Sequence, residues 1–237
     1  MKAVFVGDAH LKGRNDPNQR LFCSFLTTLE DIDYLFIMGD IFEFWVGYNH
    51  TIHHHYEPVV DGLINLRKRG VNILYTEGNH DFFLKQFFAG RVGADVYPDT
   101  ADIHFDGKRM LLAHGDLADR RGSSRFLRWF LRSPLFRLIH RLAPPPFSWR
   151  VAMNLSKKSR SAMERGGPIA RFMKEYALER IGEGFDLVVM GHTHIAAISN
   201  ETVNGRRGTY ANSGDWIEDH TYLVYENGEL EIKRFES

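Results

Sequence analysis

The chain has 237 residues, 43% of them hydrophobic and 25% charged, and its thirty basic side chains balance thirty acidic ones. That is the make-up of an ordinary soluble globular protein with enough material for one well-cored domain. Cys23 stands alone, so an internal disulfide is excluded, and no apolar stretch approaches the roughly eighteen residues a membrane span needs.

Met1–Ala9 lacks the basic-then-apolar order of a signal peptide, so a reducing, cytoplasmic address is expected. Lys2–Gly7 predicts a strand, followed by a helix from about Asn18 to Glu30 and a strand at Tyr34–Met38. Ile52–Arg69 predicts a helix stopped by Gly70, and Val71–Tyr75 the next strand. Asp81 is placed to cap a short helix over Phe82–Phe88. Strands alternating with helices in this way imply βαβ units around a parallel sheet. Asp106-Gly107 then signals a hairpin between Ile103–Phe105 and Arg109–Ala113.

From Arg120 to Met163 the chain holds eleven Lys and Arg residues and no acid. Phe126–Leu131 and Leu135–Leu142 read as helices, with Pro134 at a start and Pro144-Pro145-Pro146 as a stop. A longer helix follows at Pro168–Arg180 and a strand at Phe185–Met190. Ala196–Val203, Arg207–Ala211, Tyr222–Tyr225 and Leu230–Phe235 read as an antiparallel run, with turns at Asn204-Gly205 and Asn227-Gly228. The organisation expected is a single domain over 1–237, two packed sheets with outer helices, carrying a helical insertion at about 120–167.

Five short clusters close five apolar runs: Asp8-Ala9-His10, Gly39-Asp40, Gly78-Asn79-His80-Asp81, His114-Gly115-Asp116 and Gly191-His192-Thr193-His194. Buried strands delivering Asp, Asn and His at their carboxyl ends describe a metal site. Oxygen and imidazole donors suit Mn²⁺, Fe²⁺ or Zn²⁺. Asp8, His10, Asp40, Asn79, His114, His192 and His194 are too many donors for one ion but enough for two, with Asp40 as the natural bridge. Two such ions can activate water and clamp a phosphate.

This ordered set, GDAH, GD, GNHD, HGD and GHTH, resembles the calcineurin-like metallophosphoesterase superfamily over nearly the whole chain. The resemblance implies a four-layer α/β/β/α sandwich with the insertion as a cap, and two divalent metal ions, manganese first. It implies that Asp8, His10, Asp40 and His194 hold one ion, and Asp40, Asn79, His114 and His192 the other. His80 would contact the phosphate or leaving group as an imidazolium oriented by Asp81. Within the superfamily the chain is most similar to the UDP-2,3-diacylglucosamine hydrolases of lipid A synthesis, through GDIFEFW at 39–45, the later motifs and the basic insertion. The best-known of these carry Arg where His80 stands. The resemblance therefore implies cleavage of a nucleotide-sugar lipid to UMP and 2,3-diacylglucosamine 1-phosphate; the alternative is another nucleotide, lipid or nucleic-acid phosphodiester.

Arg125, Arg128 and Arg132 share one face of the first insertion helix, with Phe126, Leu127, Trp129, Phe130 and Leu131 over a wide apolar sector. Such a helix suits peripheral contact with an anionic membrane surface, here the inner membrane, or a pocket for acyl chains with Arg at the phosphates. It equally suits a plain hairpin packed on the core. Arg125, Trp129, Asn154, Lys157, Lys158 and Arg160 are the expected substrate contacts. The aromatics sit at helical core spacing among leucines, so no nucleic acid is expected. His53-His54-His55, His104, His140 and His220 are expected outside the site; Asp116 and Asn212 lie next to it in sequence or topology.

Overall fold

The computed structural model describes residues 1–47, 54–133, 135, 136, 138 and 168–236. In chain order the elements are β1 (Lys2–Val6), α1 (Pro17–Thr28), β2 (Tyr34–Ile37), β3 (Trp45–Val46), α2 (Glu57–Lys68), β4 (Asn72–Thr76) and β5 (Asp81–Phe82). There follow α3 (Lys85–Arg91), β6 (Asp95–Tyr97), β7 (Thr100–Phe105), β8 (Lys108–Ala113) and α4 (Gly122–Leu131). The last are α5 (Pro168–Gly182), β9 (Leu187–Met190), β10 (Ala197–Val203), β11 (Arg206–Asn212), β12 (Thr221–Glu226) and β13 (Glu229–Arg234).

Two sheets result, with strand orders β13-β12-β1-β2-β4-β6 and β10-β11-β9-β8-β7. β1, β2, β4 and β6 run parallel, as do β11, β9 and β8, so their carboxyl ends open toward one rim. Alternation along each strand sorts side chains between layers. Val4, Val6, Leu35 and Ile37 pack outward against Phe22, Phe25, Leu63 and Phe88 of α1, α2 and α3. Ala3, Phe5, Phe36 and Met38 point the other way and meet Met110, Leu112 and Val189 of the second sheet. Leu111, Ala113, Val188 and Met190 cover that sheet's outer face beneath Ile169, Met173, Ala177 and Ile181 of α5. Strands covered on both faces are apolar at every position, which is why they read as unbroken runs. The expected α/β/β/α layering is what forms.

Several elements differ from expectation. Helix α1 ends at Thr28, two residues short of the expected Glu30, and Asp16 caps its start, its Oδ1 accepting from the Asn18 amide at 3.1 Å. The helix expected from Ile52 is a 3₁₀ turn at His54–Tyr56 leading into α2; positions 52 and 53 lie outside the described residues. Asp81 caps no helix, for it sits in β5, paired in parallel with β3. The expected antiparallel run of four strands is two hairpins in different sheets, because β11 pairs with β9 while β12 pairs with β1. The three hairpin dipeptides Asp106-Gly107, Asn204-Gly205 and Asn227-Gly228 all hold positive φ at both residues, as type I′ turns require. Among the described residues no helix is long and apolar enough to cross a membrane.

Candidate metal centre

Every cluster lies in a loop at the common rim. Asp8 and His10 follow β1, Asp40 follows β2, and Asn79 and His80 follow β4; His114 follows β8, and His192 and His194 follow β9. The seam between the sheets is closed by His114, whose Nδ1 donates to the Met38 carbonyl at 2.8 Å. That bond turns its Nε2 inward, 3.4 Å from Asp40 Oδ2, 3.1 Å from Asn79 Oδ1 and 3.1 Å from His192 Nδ1. His10 Nε2 lies 3.7 Å from Asp40 Oδ2, and His194 Nε2 lies 3.5 Å from Asp8 Oδ1. Three triads have donor atoms within 4.8 Å of one another: Asp8–His10–His194, His10–Asp40–His80 and Asp8–Asp40–His114.

The backbone is bent to achieve this. Asp8, His10, Asp40, His192 and His194 all adopt left-handed φ, between 44° and 70°. Non-glycine residues are held there only when the surroundings over-determine them, and such strain gathers at functional sites. Neighbouring loops brace the turns: the amides of Ala9 and His10 both donate to the Asp40 carbonyl at 2.9 Å. The motif glycines allow the close approach. A Cβ on Gly78 would fall 1.9 Å from Asp40 Oδ1, and one on Gly191 2.4 Å from Asp8 Oδ2.

Burial sets the charge states. It raises the Asp8 carboxyl well above its usual range. Burial also opposes ionisation of Asp40, yet the imidazoles of His114, His80 and His10 outweigh it and hold Asp40 well below that range. Burial first, then the His114 charge, brings His192 down to about 4; burial likewise brings His194 to about 4, against the nearby Asp215. Both rings are thus neutral at pH 7, the form that binds a metal. Burial disfavours the charged form of His114 too, but Asp40, followed by Asp8 and Asp116, lifts it to about 10. Asp8 Oδ1 and His194 Nε2 are buried without a hydrogen-bond partner. Two buried carboxylates, an amide oxygen and several imidazole nitrogens converging on such atoms fit divalent cations.

The Asp81 carboxylate does not reach the His80 ring. It accepts from the amides of Gly78, Asp40 and Ile41 at 2.9, 3.0 and 2.8 Å and from the Tyr75 hydroxyl. Burial, then the Asp40 charge, raises it to about 7. Asp81 therefore ties two ligand-bearing loops together. His80 is oriented instead by the Glu43 carbonyl, 3.0 Å from Nδ1, while its amide donates to Asp40 Oδ1 at 2.9 Å. Its ring stands edge-on to His10, centroids 4.7 Å apart. The correction has a simple cause: the Asp81 oxygens are already taken up by the Gly78, Asp40 and Ile41 amides and the Tyr75 hydroxyl.

The calcineurin-like phosphoesterase family profile matches residues 1–196 of the chain. The chain belongs to this family. It is 32% identical over 252 residues, spanning 99% of this chain and 93% of the relative, to a protein of Aeromonas salmonicida (strain A449) named UDP-2,3-diacylglucosamine hydrolase. Proteins of the same name in Aeromonas hydrophila subsp. hydrophila and Stenotrophomonas maltophilia (strain K279a) are 30% and 31% identical, over 99% and 96% of this chain and 98% and 96% of theirs. Among solved structures an archaeal phosphodiesterase shares the fold at a TM-score of 0.53 and 16% identity, covering 99% of this chain and 100% of its own.

Around the phosphoesterase centre, the described residues at the start of the basic insertion meet acids. Arg128 of α4 bridges Asp99 and Asp116, and Arg132 reaches Glu77 Oε2 at 3.3 Å and the Gly78 carbonyl at 3.4 Å. Arg120 pairs with Glu175 and Glu179, and Arg121 with the buried Asp119. Carboxylates distant in sequence thus neutralise Arg120, Arg128 and Arg132, and a near neighbour neutralises Arg121. Asp116, next to a ligand motif, binds Arg128 rather than the His114 ring, although its charge still favours the imidazolium. Arg125 and Trp129 are exposed and line, with Arg120, Arg128 and Arg132, a cavity of about 670 Å³ beside this arrangement. Asn154, Lys157, Lys158 and Arg160 lie outside the described residues.

Asn212 is buried in the rim, its Nδ2 donating to the Gly191 carbonyl at 2.6 Å and its Oδ1 accepting from Gly214 at 3.0 Å, so it braces the His192 loop. His54 and His55 are exposed, His104 is exposed on β7, and His220 packs on Trp216. His53 and His140 lie outside the described residues. Sequence reading missed Tyr75, Glu77 and the Glu43 carbonyl, which act through partners that no local pattern reveals.

Proposed function

We propose that this phosphoesterase hydrolyses the diphosphate of UDP-2,3-diacylglucosamine, releasing UMP and 2,3-diacylglucosamine 1-phosphate, a step of lipid A synthesis. The observation that carries the reading is the near full-length similarity, at 30–32% identity, to hydrolases named for this substrate. Asp8, His10, Asp40 and His194 would hold one divalent ion and Asp40, Asn79, His114 and His192 the second, with manganese as the proposed metal. When bound, the pair supplies Lewis-acid polarisation of the phosphoryl oxygens and acidifies water.

The protein's own groups do the rest. His114, fixed by its bond to Met38, and Asn79, on the loop that Asp81 ties down, keep their donor atoms toward one point. His80, anchored at Nδ1 by the Glu43 carbonyl, presents Nε2 to the phosphate, where it holds a proton against the developing negative charge. Arg125 and Trp129 meet the acylated sugar in the cavity beside α4, and Asn154, Lys157, Lys158 and Arg160 are proposed as further substrate contacts. The exposed rings of Phe126 and Trp129, paired at 5.8 Å, favour contact with the membrane surface from which such a lipid is drawn, on the cytoplasmic side. The test is turnover of UDP-2,3-diacylglucosamine against bis(p-nitrophenyl) phosphate, each with Mn²⁺ and with chelator. Metal-dependent release of UMP with poor cleavage of the small ester is expected; cleavage of the small ester alone would discard the lipid substrate.

A further inference from the structure

The rim carries a second cavity, of about 420 Å³, on the opposite flank of the metal centre from α4. The topology places the two. The larger cavity takes Asp99 from the β6–β7 connection and Asp116 from beyond β8, at the β6 and β7 edges of the sheets. The smaller is lined by Ile195 and Ala196 before β10, Asp219 and Thr221 at the start of β12, and Ile232, Lys233 and Arg234 of β13, at the β10 and β13 edges. Between them stand β1, β2, β4, β8 and β9, which carry the donors. His194 belongs to both the donor cluster and the wall of the smaller cavity.

A diphosphate seated on the donors must send its two substituents to different sides. The α4 cavity, with Trp129 and four arginines, suits an acylated sugar. The smaller one sets two isoleucines beside Asp219, Thr221, Lys233 and Arg234. Ile195 and Ile232 are 37% and 43% exposed and offer apolar surfaces for the faces of a ring. Asp219 Oδ1 accepts from Arg234 Nη2 at 3.1 Å, so an acceptor and a guanidinium fork stand side by side. A uracil edge has the complementary order, an N3–H donor flanked by carbonyl acceptors. Cytosine seated in the same pose would set its N3 lone pair against the Asp219 carboxylate. Lys233 adds a cation to the wall for the nucleotide phosphate.

We infer that the cavity bounded by His194, Asp219, Ile232 and Arg234 is the nucleotide subsite, taking the uridine half of the substrate with Asp219 on N3–H and Arg234 on a ring carbonyl. This rests on the UDP-linked substrate proposed above. It divides the substrate: lipid beside α4, nucleoside between β10 and β13.

The experiment measures inhibition of Mn²⁺-dependent bis(p-nitrophenyl) phosphate turnover by UMP and by CMP, in the wild type, Asp219→Ala and Arg234→Ala. Hydrolysis of UDP-2,3-diacylglucosamine is followed in the same three proteins. Both side chains are about half exposed or more, at 48% and 61%, and metal content with melting temperature reports that the variants are folded. UMP should inhibit the wild type about tenfold better than CMP, and each variant should lose that preference, the worth of one charge-assisted hydrogen bond. KM for the lipid substrate should rise about tenfold in each variant with kcat nearly constant. Equal inhibition by UMP and CMP in the wild type overturns the inference without recourse to any variant. So does a UMP preference that survives both substitutions. A wild type inert toward UDP-2,3-diacylglucosamine but selectively inhibited by UMP, with the selectivity lost in the variants, upholds the subsite and removes the lipid reading instead.

Discussion

Gly78 has no side chain because Asp40 occupies the space one would need. A methyl group there would lie 1.9 Å from Asp40 Oδ1 and 2.7 Å from the Asp40 amide, and backbone cannot step aside as a flexible side chain can. Gly78→Ala should therefore displace the Asp40 carboxylate, lowering bound metal and cutting turnover about a hundredfold. Metal analysis beside kinetics decides it; full metal content with normal turnover would refute the bridge proposed for Asp40. Charge at the same centre makes metal loading depend on pH. His114, lifted to about 10, carries a proton in chelator-treated protein at pH 7.5, and Asp8 is also raised. A cation must expel the His114 proton, so its affinity falls as pH is lowered from about 10. His192 and His194, near 4, are already neutral and release none. Calorimetry of Mn²⁺ binding in buffers of different ionisation heat should count at least one proton released, and about one fewer in His114→Ala.

Helix α4 is where the insertion meets the chemistry. Its inner side rests Leu131 and Phe130 on Val46 and Phe82 of the β3–β5 pair, and Arg132 spans from there to Glu77 and the Gly78 carbonyl. Glu77 is 2% exposed, its other oxygen accepting from the Leu84 amide at 2.6 Å. Removing Arg132 leaves a buried carboxylate short of its cation and frees the loop that carries Asn79 and His80. Arg132→Ala should lower stability by about 1–3 kcal/mol and reduce kcat. Arg132→Lys should restore part of the stability but little of kcat, since an ammonium cannot serve the carboxylate and the carbonyl as a planar fork does. Thermal melts beside steady-state rates separate the two effects, and a Lys variant with wild-type kcat would show that α4 does not position the loop.

Across the whole molecule, three apolar layers hold four structural ones, and the centre sits where the inner layer ends at the rim. The rigid part supplies the donors; the insertion supplies exposed rings on α4, Phe126 at 64% and Trp129 at 67%. Replacing both with Ser removes apolar surface from the face assigned to acyl chains and the lipid surface. The double variant should raise KM for UDP-2,3-diacylglucosamine by about tenfold or more, well beyond any effect on bis(p-nitrophenyl) phosphate. Equal losses on both substrates would mean that α4 serves the centre alone and never meets lipid.

The layered fold and the family were legible in the chain because their signals are local. A strand covered on both faces is apolar throughout, and Asp8, Asp40, His114 and His192 each follow such a run directly. The hairpins were legible for the same reason, since Asn-Gly and Asp-Gly need only their own dihedrals. Partners far apart in sequence were not. Arg128 and Asp99 are 29 positions apart and Arg132 and Glu77 are 55, so an insertion without acids looked unneutralised until folding brought carboxylates to it. Asp81 neighbours His80 in sequence yet serves Gly78, Asp40 and Tyr75, because the fold brings those donors to its carboxylate. The last four strands could pair in one sheet or two, and hydrogen bonding to β1 and β9 decided. The sequence by itself determined which donors exist and where each strand hands them over. Only the packing of the two sheets decided which donors meet, since contact between distant residues depends on how layers seat, not on the order in which residues are joined.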